Sequence, residues 1–274
     1  MLPGHVAATW GRVTEMLFGS TISYRLDFRV LGPLEARVNG RAVRLGTPKQ
    51  RKLLALLVLR ANRVVTWSSA WEELWGDWPP DSAAANLRSY ASGLRALLPA
   101  DLADRLVTLP TGYLLRAEGG EVDVGRFGVL AADGGAALDQ GDPYRAVLLL
   151  SQALALWRGD PIEDVPAGPV LVPIQAALRE QLLGARESYA AARLASGEAA
   201  SVIADLRDLL NGHPCRERGW ALLMAAQYQV GDVAGALQSF LSARGALREH
   251  LGIEPGHQLR RLQHVILTRT AELP

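Results

Sequence analysis

Apolar residues recur every three or four positions along residues 79–98, PPDSAAANLRSYASGLRALL, and this spacing predicts an amphipathic helix. Two prolines block a helix upstream, and Asp81 or Ser82 is placed to cap a helix that we expect to occupy residues 81–98. Its apolar face holds Leu87, Tyr90, Ala91, Leu94, Leu97 and Leu98.

The opposite face of this helix is polar, with arginines, short hydroxyl side chains and no carboxylate after Asp81. Arginine can bridge phosphates or read the edge of guanine, and small side chains let a helix enter a major groove. A helix whose arginines are merely solvated would show the same pattern. The helix alone therefore leaves both interpretations open, and the surrounding chain decides between them.

The chain before this helix predicts a small antiparallel sheet and two helices. The strings LDFRVLG, LEARV and RAVRL alternate like strands, with Asn39-Gly40 as a hairpin turn. Thr47 is expected to cap a buried first helix, with Pro48 at its first position and Gln50 returning the capping bond. A second helix, capped by Thr66, is expected to end near Trp75.

The chain after the amphipathic helix predicts a β-hairpin at about residues 105–116, because RLVTL and GYLLR flank Pro110-Thr111-Gly112. A sheet, three helices and a hairpin together predict a winged helix-turn-helix. In that arrangement the third helix enters the major groove, and the hairpin, or wing, reaches the neighbouring backbone or minor groove.

From Glu121 onward the strand signals stop and the sequence becomes rich in alanine and leucine. Gly197-Glu198 and Gly231-Asp232 lie 34 residues apart, which is the tetratricopeptide period. We therefore expect a tetratricopeptide-like domain of helical repeats, with helices near 123–140, 142–157, 172–196, 198–211, 215–230, 232–250 and 256–271. The predicted fold is mainly α with a small β component. Its parts are an extension (1–24), a winged-helix domain (25–118) and an all-α domain (119–274).

Charge separates the two predicted domains. Residues 1–118 carry a net charge of +5 and the remainder −4, on a chain whose net charge is +1. Between Arg25 and Arg63, ten basic residues face two acidic ones. This local excess favours a polyanionic partner for the front half, such as nucleic acid, over a solvated basic surface.

Other classes of function find little support in the sequence. Cys215 is the single cysteine, and no apolar run or signal sequence predicts a membrane or secretory route, so a cytoplasmic protein is expected. His250, His257 and His264 lack the further ligands of a zinc site, and no catalytic constellation is present. We expect neither an enzyme nor a bound cofactor or metal.

Several strings resemble the Streptomyces antibiotic regulatory proteins. GPLEARVNGRAVRLGTPKQRKLLALLVL, ELWGDWPPDSAAANLRSYASGLRALL and LVTLPTGYLL are similar to the OmpR-type winged helix of that family. ALALWRGDPIEDV, HPCRERGWALLMAAQYQVGDVAGALQSF and LGIEPGHQLRRLQHVIL are similar to its bacterial transcriptional activation domain. The resemblance covers about residues 26–271.

The resemblance implies an actinobacterial activator of a secondary-metabolite, or antibiotic, gene cluster. Such a protein binds direct repeats near the −35 element as a tandem homodimer on nucleoid DNA and recruits RNA polymerase through the principal sigma factor. The resemblance places the recognition helix at 81–98 and the wing at about 105–116. Gly93 and Leu109 depart from the family pattern, in which basic residues are common at these positions. The departures leave a second interpretation open, a tetratricopeptide-type scaffold whose winged helix no longer reads DNA.

The candidate functional residues form two groups. Residues predicted to contact DNA lie on the amphipathic helix, the wing and the first helix: Asn86, Arg88, Ser89, Ser92, Arg95, Thr111, Lys49 and Arg51. Asp77 and Trp78, in a loop stiffened by two prolines, are predicted to contact the sigma factor. The filling of a local gap is the alternative role for Trp78.

Overall fold

The structure is a computed structural model that describes residues 25–99 and 103–269. The extension 1–24, with its predicted short helix, lies outside the described residues. Strands and helices alternate in the first part of the chain. The strands are β1 (Leu26–Arg29), β2 (Glu35–Val38), β3 (Arg41–Ala42), β4 (Val64–Thr66), β5 (Leu106–Leu109) and β6 (Gly112–Leu115), and the helices are α1 (Pro48–Leu59), α2 (Trp67–Trp75) and α3 (Ala83–Ala96).

The first sheet has the strand order β1-β2-β3 and is antiparallel, with Leu26 opposite Val38. Asn39 and Gly40 turn between β2 and β3 with φ values of 51° and 79°. Two positive φ values are the requirement of the tight hairpin turn that the Asn-Gly pair predicts. The predicted hairpin is confirmed.

The second sheet has the order β4-β6-β5, so the wing strands β5 and β6 gain a third partner. The sequence did not predict β4. Its three residues are too few to show an alternating pattern, and they run directly into Thr66, the cap of α2. Val65 of β4 lies opposite Tyr113 of β6.

The helix caps follow the sequence in two of three cases. Thr47 and Gln50 form the predicted capping box at α1, and Thr66 accepts a hydrogen bond from the Ser69 N–H at α2. The predicted side-chain cap of α3 is wrong. Ser82 is its N-cap residue but makes no capping bond, because its hydroxyl accepts from the Asn86 side-chain amide at 3.0 Å instead.

The rest of the chain is helical, as predicted, and its elements agree with the expected bounds to within about three residues. Gly197 and Gly231 take positive φ between paired helices, which explains the glycine at the repeat period. The helices are α4 (Asp123–Asp139), α5 (Pro143–Leu154), α6 (Leu171–Ala195), α7 (Ala199–Gly212), α8 (Glu217–Gln229), α9 (Val233–Leu251) and α10 (His257–Thr268).

One hydrophobic core spans the winged helix and the start of the helical part. The irregular segment before α6 and the first residue of that helix supply buried side chains that pack in the same cluster as the apolar face of α1; these are Ile162, Val165 and Val170 from the segment and Leu171 from the helix. The two parts therefore share a core.

A buried carboxylate holds the same junction. Glu73 of α2, only 1% exposed, accepts hydrogen bonds from the N–H groups of Gly168 (2.6 Å), Val170 (3.0 Å) and Leu171 (2.9 Å). Lys52 of α1 lies 3.7 Å away. The first N–H groups of a helix have no partner within it and carry partial positive charge, so Glu73 satisfies the start of α6 both by hydrogen bonds and by charge.

A second carboxylate, on the helical part, accepts hydrogen bonds from the backbone of the winged helix. Asp123, at the start of α4, accepts hydrogen bonds from the N–H groups of Val30 and Leu31 at 2.9–3.0 Å. Burial raises the pKa of Asp123 above its ordinary value, although these two N–H donors oppose that change. The chain after β1 is thereby fixed to the helical part.

We expect Glu73→Ala to lower the free energy of unfolding by about 3 kcal/mol, since it leaves three buried N–H groups and a shielded ammonium without their acceptor. Urea unfolding followed by circular dichroism measures the change. The matched control is Glu72→Ala on the exposed side of α2, for which a change within about 0.5 kcal/mol is expected. Equal stability of the two variants would show that Glu73 does not hold the junction.

Candidate nucleic-acid interface

Helix α3 presents the predicted polar face to solvent. Leu87, Ala91 and Leu94 are buried in the shared core, which fixes the rotation of the helix. Arg88, Ser89 and Ser92 are consequently exposed, and Asn86 is half-buried through its bond to Ser82. Arg88 has no ion pair within residues 25–99 and 103–269, so its guanidinium is free to meet an anionic ligand.

Gly93 of α3 lies against the Gln50 side chain of α1. A Cβ at this position would lie 2.1 Å from the side-chain amide nitrogen of Gln50. The same Gln50 side chain accepts the Thr47 N–H at 2.8 Å in the capping box of α1. A larger residue at 93 would therefore force Gln50 to move away from this arrangement.

Arg95 joins helix α3 to the wing. Its guanidinium donates to the Leu106 carbonyl from Nε (2.9 Å) and Nη2 (2.6 Å), and to the Thr108 hydroxyl at 2.7 Å. It also lies 5.8 Å from the centre of the Tyr113 ring. These bonds direct the guanidinium to β5 and make Arg95 a positioning residue for the wing, while its contact with DNA stays a prediction.

The wing is short and is held at its tip. The Trp67 indole N–H donates to the Pro110 carbonyl at 2.9 Å, and the Trp67 backbone N–H donates to the Thr111 carbonyl at 3.1 Å. The Trp67 and Tyr113 rings meet edge to face at 4.9 Å. Thr111 is exposed at the turn. The sequence did not predict the role of Trp67, because its partners lie more than forty residues away.

Lys49 and Arg51 have partners inside the protein, and their contact with DNA stays a prediction. Lys49 donates to the Leu74 carbonyl and lies 5.4 Å from the Trp75 ring, and burial, with the nearby Lys52, lowers its pKa below the ordinary value for lysine. Arg51 forms an ion pair with Asp164 at the junction of the two parts. Both cations stabilise packing.

The loop between α2 and α3 stands out from the surface. Trp78 is 88% exposed and Asp77 beside it is exposed, which confirms the predicted exposure and excludes the filling of a gap. Trp75, by contrast, packs against the core and stacks on Tyr90 with ring centres 6.4 Å apart. The contact with sigma factor remains a prediction.

Neither a metal site nor a membrane-spanning helix is found in the described part of the chain. Residues 25–99 and 103–269 contain no group of three His, Cys, Asp or Glu side chains arranged to hold a metal ion, and the histidines at 250, 257 and 264 do not form one. In the same residues, no helix has the length and apolar character needed to cross a membrane.

The exposed face of α3, the tethered wing and the helical repeats define a winged-helix regulator with a helical-repeat domain. The bacterial transcriptional activator domain matches residues 122–267, and the C-terminal domain of transcriptional regulatory proteins matches residues 40–115. The chain therefore belongs to the Streptomyces antibiotic regulatory protein family, whose members are transcriptional regulators and in general not enzymes. The predicted fold is confirmed.

Two relatives illustrate this similarity. The transcriptional regulatory protein EmbR of Mycobacterium tuberculosis is 38% identical over 255 residues, which cover 92% of this chain and 66% of EmbR. The regulatory protein DnrI of Streptomyces peucetius is 36% identical over 250 residues, which cover 88% of this chain and 92% of DnrI. The structure of M. tuberculosis EmbR in complex with a low affinity phosphopeptide matches with a TM-score of 0.87 over 91% of this chain and 66% of that one.

We expect Arg95→Ala to lower the free energy of unfolding by about 1–3 kcal/mol, because the Leu106 carbonyl and the Thr108 hydroxyl lose a charged donor. Arg88→Ala removes the same charge from the exposed face of the same helix and should change stability by less than about 0.5 kcal/mol. Urea titration of both variants makes the comparison. A stability loss shared equally by the two would contradict the positioning role of Arg95.

Proposed function

We propose that this protein binds promoter DNA sequence-specifically and activates transcription. The observation that carries the proposal is the exposed face of Arg88, Ser89 and Ser92, bordered by a wing that Arg95 and Trp67 hold in a fixed position. A guanidinium and two short hydroxyls on one helix face suit the base edges and phosphates of a major groove. The rigid wing sets the angle at which that helix meets the duplex.

The charge of the chain supports the same assignment. The excess of basic residues lies in the front half, while the helical part is net negative and would be repelled by the duplex. This distribution orients the molecule with the winged helix toward DNA.

One recognition helix spans only a few base pairs, so the proposal includes a second molecule. Membership of the family supports direct repeats near a −35 element, bound side by side in tandem by two copies on nucleoid DNA. Repeats one helical turn apart would put both copies on the same face of the duplex. The regulated genes are those of a secondary-metabolite cluster, and activation proceeds through RNA polymerase and its principal sigma factor.

We expect Arg88→Ala to weaken binding to promoter fragments from the neighbouring genes. If Arg88 reads guanine, the loss is about 1–3 kcal/mol and one base pair loses its preference. If it contacts phosphate, affinity falls for all sequences and the salt dependence decreases by about one charge. Fluorescence anisotropy at several salt concentrations separates these cases.

The control for Arg88 is Arg145→Ala, which removes an exposed arginine on α5 of the helical part. DNA affinity and its salt dependence should stay unchanged in that variant. Parental affinity in Arg88→Ala would remove α3 from the role of recognition helix.

The loop at residues 76–81 supplies the proposed contact with polymerase. Trp78 offers a large apolar surface in solvent, and Asp77 can pair with a basic side chain of the sigma factor. Pro79 and Pro80 restrict the loop before binding, which lowers the entropy cost of the contact. None of these side chains belongs to the exposed face of α3, so DNA and polymerase can be bound together.

We expect Trp78→Ala to reduce activation in a purified transcription assay at least about tenfold, because a buried tryptophan anchor contributes about 2 kcal/mol or more to an interface. Affinity for a fragment with a single repeat should stay at the parental level. Circular dichroism controls for folding. If the folded variant binds and activates like the parent, the polymerase contact lies elsewhere on the molecule.

A further inference from the structure

A large groove lies in the helical part and shares no lining residue with α3 or the wing. It has a volume of about 830 Å³ and crosses α6, α8 and α10, with no lining residue from α7 or α9. Small apolar side chains form its floor, and basic side chains form its rim. The floor includes Ala191, Leu194, Ala195, Ala221, Leu222 and Ala225, and the rim includes Arg218, His257 and Arg261.

The rim arginines are not paired with carboxylates. Eight other arginines of the helical part form ion pairs with aspartate or glutamate, whereas Arg145, Arg207, Arg260 and Arg269, like the rim arginines, form none among the described residues. Arg218 and Arg261 form none within residues 25–99 and 103–269, and Arg218 makes only a 3.2 Å hydrogen bond to the Ser188 hydroxyl. No carboxylate from the described residues lines the groove. An unpaired basic rim above an apolar floor suits an acidic segment with an apolar anchor.

The loop at residues 76–81 has that chemistry. Trp78 is its apolar anchor, 88% exposed, and Asp77 and Asp81 flank it on the surface. No lysine or arginine occurs between Arg63 and Arg88, so the loop and the adjoining helix ends are acidic throughout. The chain thus carries both an acidic aromatic projection and a basic apolar groove.

The two features cannot meet within one molecule. Glu73 fixes the end of α2 to Leu171 at the start of α6, whereas the groove begins twenty residues along that helix, about 30 Å away. Five residues separate Glu73 from Trp78 and reach at most about 17 Å. A loop can therefore enter only the groove of another molecule.

We propose that the 76–81 loop of one molecule docks in the basic groove of a second copy, with Trp78 on the alanine floor and Asp77 and Asp81 beside Arg218 and Arg261. The contact uses two different surfaces, so it orders the copies head to tail, as direct repeats would. This inference rests on the proposed function only for its role on DNA. In a tandem pair one loop is docked, and the other stays free for polymerase.

The first test measures association without DNA, by sedimentation velocity of the full chain over the micromolar to submillimolar range. The parent should self-associate, and Arg218→Glu combined with Arg261→Glu should weaken association at least about tenfold. Arg145→Glu is the matched control, with the same charge reversal on α5 and parental association expected. Circular dichroism verifies folding. A monomeric parent throughout this range, or parental association of the double variant, overturns the proposal.

A mixing experiment tests the head-to-tail geometry. Trp78→Ala keeps the groove and loses the anchor, while the double groove variant keeps the anchor and loses the groove. Each alone should remain monomeric, and their mixture should form a dimer and nothing larger. A mixture that stays monomeric overturns the proposal.

The same double variant separates this inference from the proposed function on DNA. It should bind a single repeat with parental affinity and lose cooperativity on two repeats by about tenfold. A parent that fails to bind even one repeat contradicts the proposed function and leaves the sedimentation result to decide the docking. Undiminished cooperativity in the double variant, with normal binding of one repeat, overturns the docking alone.

Discussion

The Glu73 carboxylate is the constraint on which the arrangement of the whole molecule depends. It satisfies the N-terminal N–H groups of α6 from the end of α2, and it does so inside a core that both parts share. A buried charge is tolerated only where such donors and a counter-ion surround it. Asp123 is a second buried carboxylate that accepts backbone N–H groups across the junction. The winged helix and the start of the helical part are therefore joined by a shared core and by two buried carboxylates.

Hydrogen bonds and an ion pair within the protein likewise preorganise the proposed interface on α3. Arg95, Lys49 and Arg51 are basic residues beside a proposed DNA surface, yet each is bound to a carbonyl or carboxylate of the protein. With these side chains bound within the protein, Arg88 is the arginine of α3 whose guanidinium makes no hydrogen bond or ion pair to the described residues. Affinity from few contacts then depends on rigidity, since a fixed wing and helix lose little entropy on binding.

The sequence predicts those structural features whose determinants lie close together along the chain. The capping box of Thr47 and Gln50, the Asn39-Gly40 turn and the repeat glycines are each set by residues a few positions apart, so their patterns are visible along the chain. The apolar stripe of α3 likewise determined which side chains are exposed. The resemblance of several sequence segments to the family predicted the overall fold and the class of protein.

Determinants that join distant residues could not be predicted in this way. Arg95 and Arg88 both fall on the polar face of one helix, and only the folded position of Thr108 distinguishes them. Glu73 reads as an ordinary surface residue of α2, because its partners come 95–98 residues later. Strand β4 is visible only through its pairing with β6. Each of these failures has the same cause, which is that polar pairing across a fold leaves no periodic signal.

The shared core also has a consequence for synthesis of the chain. The wing is complete at Leu115, but Val170 and Leu171, which close the core over α1, are added more than fifty residues later. At bacterial elongation rates of about 5–20 residues per second, the delay is about 3–11 seconds. During that time the apolar surface of α1 in the nascent winged helix is open, and the Glu73 carboxylate lacks the N–H donors of residues 168–171. Helix α3 therefore gains its final support only after residues 116–171 have been added to the chain.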